Sequence, residues 1–171
     1  LYAGVAGGAD IILLPEIPYD LDKVIAAIAK RNHDGKGFTI LAVAEGAISK
    51  EDSQLSKKEY KQKRAKSKYP SVSYEIADRI SEKLGSEVRV AVPGHTQRGG
   101  SPCPYDRVLC TRLGSAAAKA IIDDDYGYMI AMINGNTKRV PLADVAGKLK
   151  MVDPKSQMIK EAKRTGICFG D

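Results

Sequence analysis

The chain has no tryptophan and only two phenylalanines. Its core must therefore rest on Ile, Leu, Val, Ala and Met. No apolar stretch approaches the roughly 18 residues that a membrane span needs, and no stretch has the layout of a signal peptide. The three cysteines, Cys103, Cys110 and Cys168, are odd in number and fit no metal spacing. Reduced thiols in a cytoplasmic protein are the simplest reading. The first residues, Leu1 to Gly7, read as the tail of a helix begun earlier, so the chain is expected to be part of something longer.

What is present is an ordinary globular composition, 43% apolar and 28% charged, in 171 residues, enough for one domain with a sizeable core. Basic residues exceed acidic ones by 27 to 21, a net charge of +6. Such an excess suits nucleic acid, an anionic membrane or a phosphorylated small molecule. Much of it sits in Lys57–Lys68, which holds seven Lys or Arg and one Glu. The run carries no recognition motif and no aromatic between Tyr60 and Tyr69 to stack bases. A solvated helix face is the reading, with neither nucleic acid nor membrane expected as a partner.

Along the chain, Ile11–Leu14 reads as a buried strand ended by Pro15. Asp20 caps a helix with Leu21, Val24, Ile25 and Ile28 on one face, and Phe38–Ala44 is a second buried strand. Two buried strands joined by a helix should be parallel. Ser53–Lys68 is helical but polar, within an expected insertion spanning 51–71. Ser73–Leu84 is an amphipathic helix closed by Gly85, and Val88–Val92 a third strand. A glycine-rich loop, Pro93–Cys103, leads to a long helix from Pro104 to Asp123, with a buried stripe of Leu109, Leu113, Ala116, Ala117 and Ala120. Tyr128–Ile133 is a fourth strand, followed by the turn Asn134-Gly135-Asn136. The polar remainder, 135–171, reads as an extension with a last helix over Pro154–Arg164. The alternation predicts an α/β fold, three-layer and Rossmann-like, with a mainly parallel sheet flanked by helices.

Ligands of such sheets bind at the carboxyl ends of strands. One such end is Glu45-Gly46; the other is Pro93-Gly94-His95-Thr96-Gln97-Arg98-Gly99-Gly100-Ser101-Pro102. Arg98 offers the planar fork that fits phosphate oxygens, and His95 adds a donor. Gly99 and Gly100 allow close backbone approach or positive φ. The N-terminus of the following helix is a further source of anion affinity. Arg89 is a third nearby cation. The plain alternatives are a structural turn for the loop, a solvated edge or surface ion pair for Arg89, and a helix cap for Glu45. The residues by themselves point to an anion site.

The run Gly94–Pro102, followed by Tyr105-Asp106-Arg107-Val108-Leu109 and Thr111-Arg112-Leu113-Gly114, resembles the signature of the phosphofructokinases. Ala44-Glu45-Gly46, Gly7-Gly8-Ala9-Asp10 and Leu14-Pro15-Glu16 resemble other segments of that family, and the likeness extends from about Leu1 to Ile133. The resemblance implies the C-terminal, fructose 6-phosphate-binding part of such an enzyme over residues 1–171. It implies that His95 and Arg98 bind the 6-phosphate, that Arg89 reaches the phosphate of a neighbouring subunit, and that Glu45 holds sugar hydroxyls. It also implies a cytoplasmic homo-oligomer, dimer or tetramer, that uses Mg²⁺ with ATP or pyrophosphate. The family's Thr-Ile-Asp catalytic motif and its donor-binding glycine loop do not occur in this sequence. No catalytic residue or metal ligand is therefore expected in it, and the chain alone is expected to be inactive. Glu16 and Lys36 match an effector site of some bacterial members, but Asp34 and Gly37 depart from its basic pattern. A non-catalytic sugar-phosphate-binding or regulatory module is the alternative reading.

Overall fold

The structure, a computed structural model, describes all residues from 1 to 171. They form two compact units: Leu1–Ala91 with Met151–Asp171, and Val92–Lys150.

The first unit is built around β1 (Ile11–Leu13), whose residues are all buried. Side chains alternate across a strand, so an unbroken apolar run needs cover on both faces. Ile11 and Leu13 pack with Val24 and Ile28 of α2 (Leu21–His33) and with Ile76 and Ile80 of α4 (Val72–Leu84). Ile12 and Leu14 pack instead with Ile159 and Ala162 of α7 (Gln157–Arg164) and with Phe169. Helices thus cover both faces of the strand, giving three layers. β1 pairs in parallel with β2 (Leu41–Val43), Ile11 opposite Leu41 and Leu13 opposite Val43. α2 is the crossover between them, and the Asp20 carboxylate caps it by accepting the Asp22 N–H at 2.9 Å. On the other edge of β1 the Ile12 N–H donates to Cys168 O at 2.9 Å, and the Cys168 N–H donates to Asp10 O at 3.0 Å. The short helix α1 (Tyr2–Ala6) precedes β1.

Three expectations change here. The second strand is shorter than Phe38–Ala44, because Phe38 is 71% exposed and only Leu41–Val43 forms a ladder. Val88–Val92 is not a strand. An extended segment becomes one only by exchanging backbone hydrogen bonds with a neighbour. A cavity of about 620 Å³, lined by Leu41, Val43, Val88 and Val90 among others, instead separates residues 88–91 from β2. The polar helix expected over Ser53–Lys68 is broken. A 3₁₀ turn, Asp52–Gln54, is followed by α3 (Lys57–Ala65), whose start is set by a capping box between Ser56 and Glu59. No residue of α3 is buried. It is fastened to α4 by Arg64–Glu75 at 2.7 Å, to the preceding turn by Lys63–Asp52, and through the following loop by the Tyr69 hydroxyl on Asp78. α4 keeps its expected face and ends at Gly85 in the left-handed conformation.

In the second unit, α5 (Pro104–Ile122) is mostly exposed. Its five residues that are not exposed are Leu109, Leu113, Ala116, Ala117 and Ala120, the stripe its spacing predicts. β3 (Tyr128–Ile133) turns through Asn134 and Gly135, both at positive φ, into β4 (Asn136–Pro141), with which it pairs antiparallel. A short helix, α6 (Leu142–Val145), follows. The stretch 135–171 therefore divides: β4 and α6 belong to the second unit, whereas Met151–Asp171 supplies part of the core of the first.

Candidate phosphate-binding site

In the second unit the glycine-rich loop contains one 3₁₀ segment, Gly94–Arg98. The Thr96 N–H donates to Pro93 O at 3.0 Å, and the Gly99 N–H to Thr96 O at 3.3 Å. A 3₁₀ helix has three residues per turn, so side chains three apart lie one above the other. The His-x-x-Arg spacing thus puts His95 and Arg98 on the same side of one turn. Both are exposed, so an imidazole and a guanidinium fork, a donor set suited to an anion, open to solvent from one turn. Of the two glycines expected to have unusual backbone, Gly100 takes φ 90 but Gly99 is extended; Gly94, at φ 50, is the other left-handed position. A side chain at Gly94 or Gly100 would be strained whatever space surrounds it.

The loop ends at Pro102, with Cys103 at the N-cap of α5 and Pro104 in its first turn. Asp106 Oδ2 accepts the Cys103 N–H at 3.0 Å, and Arg107 Nε donates to Pro102 O at 3.2 Å. The expectation that this helix N-terminus adds anion affinity needs correction. The Asp106 carboxylate already occupies it and consumes one of its donors.

Glu45 and Arg89 belong to the first unit. Glu45 lies in the turn after β2 and is exposed. It caps no helix, since the next helical turn is preceded by Glu51. It stands at the carboxyl end of the parallel pair, where the Ala44 N–H donates to Leu13 O at 3.0 Å. Arg89 Nε donates to Glu87 Oε1 at 2.8 Å in a fully solvated pair, one of the plain alternatives its position allows. Glu16 is also at the carboxyl end, but one oxygen accepts the Val152 N–H at 2.9 Å and the other is buried without a partner. Its visible work is to tether the returning chain. Lys36 precedes the amino end of β2 and is exposed. Parallel register puts it at the opposite end of the sheet from Glu16, and the two share no contact. The structure therefore groups His95 with Arg98, and Glu16 with Glu45 at one sheet end, but not Glu16 with Lys36.

No three His, Cys, Asp or Glu side chains come together as a cation cage. The side chain with the largest electrostatic perturbation is one that sequence reasoning passed over. Tyr19 is 6% exposed, and its pKa is pushed up to about 12 by burial first, then by the Glu75 and Asp52 carboxylates. Its position just before the Asp20 cap was the available signal.

The sequence model of the family described as "Phosphofructokinase" matches residues 1–121. The "ATP-dependent 6-phosphofructokinase" of Spirochaeta thermophila is 51% identical over all 171 residues, which correspond to 47% of its length. The protein of the same name from Chloroflexus aurantiacus is 40% identical over the whole chain and 46% of its own length. The chain thus spans about half the length of the curated relatives it matches. Among solved structures, Pichia pastoris phosphofructokinase in the T-state superposes with a TM-score of 0.60 at 32% identity, covering 96% of this chain and 17% of that one. The pyrophosphate-dependent phosphofructokinase of Marinobacter aquaeolei shares the fold, at TM-score 0.67 and 18% identity over 93% of this chain and 40% of that one. Signature, fold and relatives agree: the chain belongs to the phosphofructokinase family.

Proposed function

We propose that this chain forms the sugar-phosphate-binding part of a 6-phosphofructokinase, which transfers a phosphoryl group to the 1-hydroxyl of fructose 6-phosphate. The observation that carries the reading is the pairing of His95 and Arg98 on one turn of a loop with two left-handed glycines. In this reading the Arg98 fork and a His95 ring N–H hold the 6-phosphate, and the Glu45 carboxylate accepts hydrogen bonds from sugar hydroxyls. These contacts orient the acceptor; in-line transfer then needs a donor and a metal brought to it. ATP is the donor favoured by the names of the 51% and 40% identical relatives. Mg²⁺ would neutralise donor charge when bound. The whole protein works in this reading as a cytoplasmic homo-oligomer of two or four subunits.

Arg89 completes the phosphate site of a neighbouring subunit. Its only partner in the chain is the exposed Glu87, and a solvated pair of this kind costs little to release. In the whole protein, Arg98→Ala and Arg89→Ala should each raise the KM for fructose 6-phosphate by about 10- to 100-fold, the loss of one charge-assisted contact. Mixing the two variants under conditions of subunit exchange should restore part of the activity, because some hybrid sites keep both arginines. Unchanged KM in Arg98→Ala would overturn the site. Exchange without recovery would place Arg89 in its own chain's site. Turnover by the 171-residue chain alone with ATP or pyrophosphate, abolished by Arg98→Ala, would overturn the expectation that the chain is inactive by itself.

A further inference from the structure

We infer that Asp106 and Arg107 are positioning residues for the phosphate-binding loop, acting through the Pro102–Cys103 peptide rather than through the ligand. The inference rests on the reading of His95 and Arg98 as phosphate ligands. The amino end of the loop is held by its own turns, Thr96 N–H to Pro93 O and Gly99 N–H to Thr96 O. Beyond Gly99 the backbone passes through Gly100, a residue with wide conformational freedom, and then Ser101 and Pro102. Proline has no N–H to offer. The fastenings found at this end are the Pro102 carbonyl, held by Arg107 Nε at 3.2 Å, and the Cys103 N–H, held by Asp106 Oδ2 at 3.0 Å. Both come from consecutive residues in the first turn of α5. The Arg107 carbonyl in turn accepts the Thr111 hydroxyl at 2.8 Å.

The charge of Asp106 argues the same way. A carboxylate in the helix turn that follows an anion-binding loop opposes the ligand by Coulomb repulsion. Its contribution is the acceptor, not the charge. Arg107 is aimed at the loop carbonyl through Nε, an atom lysine lacks. Both residues fix the loop before the ligand arrives, so the entropy of ordering Gly100 and its neighbours is not taken from binding.

The consequence is a pattern that direct ligation or simple stability would not give. In the whole protein, Arg107→Ala and Arg107→Lys should both raise the KM for fructose 6-phosphate, by about fivefold to tenfold, as expected for one lost hydrogen bond. Asp106→Ala should do the same, whereas Asp106→Asn keeps an acceptor oxygen and should leave KM unchanged or lower it. In all four, kcat and the KM for the phosphoryl donor should stay at the parent values, and in the two Arg107 variants the melting temperature should stay there too. Amide exchange over Gly100–Cys103 should quicken in the two alanine variants. Full retention of affinity in Arg107→Lys would mean the charge meets the phosphate directly, and the inference falls. It also falls if Asp106→Asn is as impaired as Asp106→Ala, or if KM rises only in step with lost thermal stability. Arg98→Ala separates the two claims. If it leaves KM unmoved, the phosphate reading itself is lost. If it raises KM while Arg107→Ala does not, only the bracing role is lost.

Discussion

The two units of this chain are made by different rules. Leu1–Ala91 with Met151–Asp171 holds all but one of the buried apolar residues, Ile11, Ile12, Leu13, Val24, Ile159 and Phe169 among them, on both faces of a strand. Val92–Lys150 has one buried residue, Ala120, yet it carries His95 and Arg98. Ile121, Ile122 and Tyr126 of the second unit are at least 60% exposed. Burial of an apolar side chain is worth about 1.5–3 kcal/mol, so nearly all such stabilisation within the chain falls in the first unit. The second unit instead shapes its glycine-rich loop with local means: glycines, a 3₁₀ turn and helix-end hydrogen bonds.

The comparison breaks or stands first on Phe169. Its ring is 1% exposed and meets Ile12, Leu14, Ile159 and their neighbours. Phe169→Ala should lower the stability of the chain by about 3–5 kcal/mol, as large-to-small changes in a core do. Ile122→Ala, at a side chain 80% exposed, should change it by less than about 0.5 kcal/mol. Denaturant unfolding of the two variants gives the ratio directly. Equal losses would mean that the apolar surface of α5 is covered by something, and that the second unit is not built as described.

Tyr19 sharpens the comparison from the alkaline side. The folded chain holds its phenolic proton up to about pH 12, whereas an ordinary tyrosine releases it near 10. The folded state therefore binds more protons between those values. This contribution to stability is complete below pH 10 and is lost as pH rises towards 12. Its size is on the order of 2 kcal/mol. Tyr19→Phe should flatten the fall in unfolding free energy between pH 10 and 12 relative to the parent. An unchanged slope would show that the phenol is already ionised, or already solvated, in the folded state.

How far the sequence was legible follows the same division. The βαβ unit could be read because β1 is an unbroken apolar run and α2 has both a cap and a face. The stripe of α5 could be read from spacing alone. Val88–Val92 has strand composition but no ladder partner, and pairing is not a property of one segment. β4 was missed although Asn134-Gly135 is a strong hairpin signal, because Asn136–Pro141 has few apolar residues. The contribution of α7 to the first core was hidden by polar sequence, since only Ile159 and Ala162 of that helix are buried. At the site, the residue types of the loop were readable. The occupation of the α5 N-terminus by Asp106 was only half readable, because the favourable placement of an acid there was plain but its competition with an anion was not.

The smallest effect is expected where the first unit is built like the second. α3 buries no residue and is held by ion pairs. The strongest candidate is Arg64–Glu75, with both side chains about three-quarters or more buried and 2.7 Å apart. Glu75 also meets Arg79 at 3.2 Å, so removing Arg64 does not leave the carboxylate alone. Arg64→Ala should therefore cost only about 1 kcal/mol, below the penalty for a stranded buried charge. Lys57, Lys58 and Lys61 are exposed, and none of them forms an ion pair in the chain; alanine there should be neutral within about 0.5 kcal/mol. Replacing Glu51–Ser71 by a short Gly/Ser linker should sum these terms to about 1–2 kcal/mol. It should leave the KM for fructose 6-phosphate in the whole protein unchanged. Thermal unfolding and steady-state kinetics on the same linker variant test both halves. A loss comparable to that of Phe169→Ala would mean that the lysine face packs against another surface, and α3 would then belong with the cored part of the molecule.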